Sequence, residues 1–108
     1  MKWMLALTAF GLLAGCSNSM KGIPDVTPEM ATAYGVDERT LARGRGIYMA
    51  YCAQCHERVE PGEIDPEFWR GITPHMAVKA KITKEEEQQL IHYLMVAHAT
   101  VHGLDPEH

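Results

Sequence analysis

Apolar positions recur along this chain with the spacing of an amphipathic helix in two stretches, and nowhere with the strict alternation of a half-buried strand. Asp37 is placed to cap a helix over residues 38–51, in which Leu41, Gly44 and Tyr48 share one face and Ile47 and Tyr51 adjoin it. Near the C-terminus, Thr83 and Glu86 have the spacing of a capping box, and Glu85 to Glu87 put negative charge at the positive helix end. Leu90, Ile91, Leu94, Ala97 and Val101 then form an apolar stripe that stops at Gly103. Between the two, Pro61, Pro66 and Pro74 break the pattern, which predicts loops with at most one short helix over residues 67–70. Residues 17–36, with Gly22, Pro24 and Pro28 and little periodicity, read as a linker. The expected fold is all-α, two helices flanking a long loop.

The beginning of the chain has a different character. After Lys2 comes an apolar run over residues 3–13, then the small residues Ala14 and Gly15 and then Cys16. This run is too short for a transmembrane helix, which takes roughly 20 residues, and it has the form of an export signal. Leu13, Ala14, Gly15 and Cys16 resemble the bacterial lipobox. That resemblance implies cleavage before Cys16 and a lipid on its sulfur. The organisation expected is a signal peptide over residues 1–15, a lipid-anchored linker over 16–36 and a folded domain over 37–108, exported and held at a membrane facing the periplasm.

With 108 residues the chain has room for one small domain, whose own core stabilises it only marginally, so a buried prosthetic group would add to it. The formal charge of −4 and the absence of any Lys/Arg run exclude a nucleic-acid footprint. Candidate chemistry concentrates in Tyr-Cys-Ala-Gln-Cys-His, residues 51–56. A zinc site would need two more ligands at matching spacing, and a thioredoxin-like pair would need a βαβ setting that the helical periodicity denies. Cys52 and Cys55 instead lie on one side of a helical turn. There both sulfurs can form thioethers to the vinyl groups of a protoporphyrin, with the adjacent His56 directed at the iron.

Further along, the residues resemble the class I c-type cytochromes. That family has a glycine eight residues and an aromatic four residues before the first haem cysteine, which here are Gly44 and Tyr48 before Cys52. It also has a Leu-Ile-x-Tyr-Leu pattern in its last helix, read here as Leu90-Ile91-His92-Tyr93-Leu94. The resemblance implies that the first and last helices cross at Gly44, where a missing Cβ permits close approach. It also implies one covalent haem c with Met76, 17 residues before Tyr93, as the second axial ligand beside His56. His75 and His98 are the alternative ligands. Only 19 residues separate His56 from Met76, so the haem cover is shorter than usual for the family.

The function this implies is single-electron transfer between redox protein partners, without catalysis and without a small-molecule substrate. The alternative is a gas sensor or small haem enzyme with an open or labile distal position, and a lipoprotein with a non-haem cysteine pair is the third reading. Other side chains have expected roles too. A carbonyl of Pro61 or Pro66 is the candidate acceptor for Nδ1–H of His56, and Trp69 or Tyr51 for donation to a propionate. Lys79, Lys81 and Lys84 form a basic rim after Met76, facing an acidic loop of Glu57, Glu60, Glu63, Asp65 and Glu67. His92, His98 and His102 read as solvent-facing or helix-end residues, with a second metal site as the lesser reading, since no carboxylate or cysteine lies at matching spacing from them.

Overall fold

Capping side chains set where each helix starts. The computed structural model describes residues 22–53 and 59–104, and every regular element in them is helical. Helix α1, Pro28–Tyr34, opens on Thr27, whose hydroxyl accepts the N–H of Met30 at 3.1 Å. Helix α2, Glu38–Ile47, opens on Asp37, whose carboxylate accepts the N–H of Thr40 at 3.1 Å. At Tyr48 the coil widens: the N–H of Ala53 reaches back five residues to the carbonyl of Tyr48 at 2.9 Å, making Tyr48–Cys52 a π turn. A single 3₁₀ turn, Pro61–Glu63, precedes α3, Pro66–Ala80, and α4, Lys84–His102. Thr83 and Glu86 form both bonds of the expected capping box, at 2.8 and 3.1 Å.

The principal contact is between α2 and α4. Leu41, Tyr48, Leu90, Tyr93, Leu94 and Ala97 are all buried, and the rings of Tyr48 and Tyr93 lie 6.3 Å apart at a tilted angle. Full burial of such a side chain stabilises by about 1.5–3 kcal/mol, so this seam carries much of the stability. It closes at Gly44, as expected from the sequence. A Cβ built there would collide with the carbonyl of Gln89 and lie 2.7 Å from the Cβ of Tyr93. Gly46, by contrast, faces open space.

Two expectations are corrected. The segment read as a linker is packed from Gly22 onward. Ile23 is only 1% exposed and joins the core of Tyr48, Trp69 and Tyr93, while α1 buries Met30 and Ala31 against Leu41 and Val96. The carbonyl of Pro24 accepts the Tyr93 hydroxyl at 2.7 Å and Nε–H of Arg45 at 3.1 Å, and Asp25 pairs with the same Arg45 at 3.1 Å. Burial beneath this strap pushes the Tyr93 phenol above its ordinary value, against the opposing pull of the Arg45 charge. A helix of seven residues is too short to show clear periodicity, and Gly22, Pro24 and Pro28 gave the segment the look of a linker.

The second correction concerns residues 66–80, expected to be loop with a short helix. They form one helix of 15 residues that runs through Pro74. Proline removes one N–H, but Pro74 is exposed, and the buried Thr73 donates its hydroxyl to the carbonyl of Trp69 at 2.6 Å. Trp69, Thr73 and Ala77 supply a buried face at i, i+4 and i+8, which outweighs the lost bond.

Candidate functional site

The π turn at the end of α2 delivers Cys52, half-buried, to the wall of an apolar cavity of about 270 Å³. Ile47, Tyr51 and Cys52 line one side of it from the end of α2 and its turn. Met76, Ala77, Lys79 and Ala80 line the other from α3, and Ile82 and Leu90 complete it. The volume is near the lower end of the roughly 300–1,000 Å³ typical of ligand pockets. Two of the residues singled out in the sequence, Cys52 and Met76, are thus brought to one cavity although 24 positions separate them. His75, the next residue back on α3, is exposed and is not among the lining residues. Met76 therefore has the better position of the two. Cys55, His56 and Cys16 lie outside the described residues.

Cys52 brings a thiol and Met76 a thioether to the same lining, among aliphatic side chains, and these are the residue types by which a covalent haem would be held. Tyr51, half exposed, and Lys79 stand at the cavity and could meet the polar edge of such a group. Lys81 and Lys84 are exposed at the end of α3 and the start of α4.

Trp69 and Pro61 have other engagements than those expected. Trp69 is buried, and its Nε1–H donates to the carbonyl of Pro61 at 2.9 Å, so it is not turned to a propionate. The same carbonyl meets Nδ1 of His98 at 3.2 Å. Both of its lone pairs thus already face side-chain nitrogens. His102 is exposed at the end of α4, as expected, and its Nε2 lies 2.9 Å from the carbonyl of Gly62, whereas His98 is partly buried.

Sequence reasoning missed the α3 and α4 contributions of Ala77, Ala80 and Leu90 to the cavity. Ile72, Met76 and Ala80 recur every four residues behind an Asp65-Pro66 start, a helix signal that Pro74 obscured. Among the described residues, no group of three or more His, Cys, Asp or Glu is gathered to hold a metal ion. No helix among them is long and apolar enough to cross a membrane. Comparison of the chain with protein-family models, with curated proteins and with solved structures finds no match.

Proposed function

We propose that the chain is a monohaem c-type cytochrome that carries single electrons between redox proteins at a membrane surface. The haem would be held by thioethers to Cys52 and Cys55, with His56 and Met76 as axial ligands and a lipid on Cys16 as the anchor. The observation that carries this reading is the shared cavity: the first cysteine of a Cys-x-x-Cys-His motif and the methionine singled out as its distal partner line the same apolar space. When bound, the haem would supply an iron that changes valence by one electron.

The chain's own residues do the rest. Ile47, Ala77, Ala80, Ile82 and Leu90 give the cavity an apolar wall, which would disfavour the extra charge of a ferric iron held there. A methionine thioether favours the ferrous state in the same direction, so His/Met ligation raises the potential relative to two histidines. Ligation by both His56 and Met76 would leave no position for a substrate, which supports electron carriage, and covalent attachment would keep the group from being lost outside the cytoplasm.

The test is an optical spectrum of the exported protein, ferric and ferrous, beside that of Met76→Ala, after co-expression with a cytochrome maturation system. A six-coordinate low-spin spectrum with a weak far-red sulfur-to-iron band, lost in the variant, is expected. A high-spin spectrum, or ready binding of carbon monoxide by the unmodified protein, would favour a sensor or enzyme with an open distal position. Failure to attach haem at all would remove the proposal.

A further inference from the structure

We propose that His98 and His102 form a second cation site, away from the cavity, for a single borderline divalent metal ion such as copper(II). The two residues lie four positions apart on α4, so they share one face, and their rings stand 4.6 Å apart. Imidazole nitrogens bind such metals at about 2.0–2.1 Å. Two rings on one ion at angles between square and tetrahedral would have centroids about 4.5–5.2 Å apart. The observed separation falls in that interval.

The nitrogens are also prepared for the task. The groups facing His98 Nδ1 and His102 Nε2 are the backbone carbonyls of Pro61 and Gly62, at 3.2 and 2.9 Å, and a carbonyl can only accept. Each ring must therefore carry its proton on that side. This leaves Nε2 of His98 and Nδ1 of His102 as the lone-pair nitrogens, the state in which imidazole binds a metal. A ligating histidine that donates its other N–H to a carbonyl is the usual outer-shell arrangement, and it fixes both tautomer and ring. Trp69, donating to the same Pro61 carbonyl, steadies the turn that presents both acceptors.

The ion class follows from the donors. Two imidazoles without thiolate or carboxylate suit copper, nickel or zinc, and copper(II) binds tightest in that series. Among the described residues no third His, Cys, Asp or Glu joins the pair. His102 is exposed, which gives the ion a way in. This site does not depend on the haem reading.

The experiment is a calorimetric titration of the purified full mature chain with copper(II), the protein held oxidised, together with electron paramagnetic resonance of the bound ion. One ion per chain and nitrogen splitting from two imidazoles are expected. His98→Gln and His102→Gln should each weaken binding by roughly tenfold or more, since each removes a ligand. The glutamine amide can still donate to the carbonyl, so unchanged far-ultraviolet dichroism separates a lost ligand from a lost fold. His75→Gln and His92→Gln should bind as the parent does. Unchanged affinity in both α4 variants, a loss confined to the His75 or His92 variant, or a signal without imidazole nitrogen would overturn the site.

Discussion

Gly44 and Gly46 sit two residues apart in α2 and should respond in opposite ways to the same chemistry. Gly44→Val forces atoms into the carbonyl of Gln89 and the Cβ of Tyr93, and should destabilise by about 1–3 kcal/mol or more in urea unfolding. Gly46→Ala meets nothing, and should gain up to ~1 kcal/mol from helix propensity. Similar shifts for both would mean that the helices do not meet as closely as described. Tyr93 adds a pH dependence. Its phenol ionises less readily when folded than its ordinary 10.0, so the contribution is fully present below about pH 10 and is lost as pH rises further. Unfolding midpoints measured from pH 8 to 11 should fall above pH 10, and Tyr93→Phe should flatten that fall while costing about 1 kcal/mol at neutral pH for the lost bond to Pro24. Gly44 was legible because its place eight residues before Cys52 carries the resemblance to c-type cytochromes, which implies a helix crossing there. The contacts of His98 and His102 were not, because their partners are backbone carbonyls, which every residue carries and no pattern advertises.

Among the elements, α2 and α4 were legible from periodicity and caps; α4 spans nearly the residues expected, while α2 ends at Ile47 and the π turn carries the coil on to Cys52. The π turn was not, since it depends on which carbonyl Ala53 chooses, a difference of one residue that no side chain encodes. Helix α3 shows the opposite failure: Pro74 is a strong local signal that tertiary packing overrides. Because this proline is exposed and only its backbone bond is missing, Pro74→Ala should stabilise α3. A gain of about 1–3 kcal/mol in thermal or urea unfolding is expected. Destabilisation by that change would mean that the helix depends on the bend or rigidity proline gives it. The consequence for the site is direct, because Met76 lies two residues beyond Pro74 and its place on the cavity wall is set by the register of this helix.

At the level of the whole molecule, the strap over residues 22–27 ties the start of the fold to its middle and its end. Ile23 fills the space beside Tyr48 and Tyr93, and Ile23→Ala should cost about 2–5 kcal/mol, a loss of a size met only in cores. A shift below 1 kcal/mol in urea unfolding would restore the idea of a loose linker. The strap also sets a distance. Six residue steps separate Cys16 from Gly22, and a fully extended chain covers no more than about 3.6 Å per step, roughly 22 Å in all. A lipid on Cys16 would therefore moor the domain close against the bilayer, within less than a protein diameter of it, so that a partner must come to the membrane to exchange an electron. Lengthening the mooring by twenty Gly-Ser residues before Gly22 should relieve quenching of a label at Lys79 by nitroxide-bearing lipids. Equal quenching at both lengths would mean that the domain rests on the lipid for reasons of its own surface.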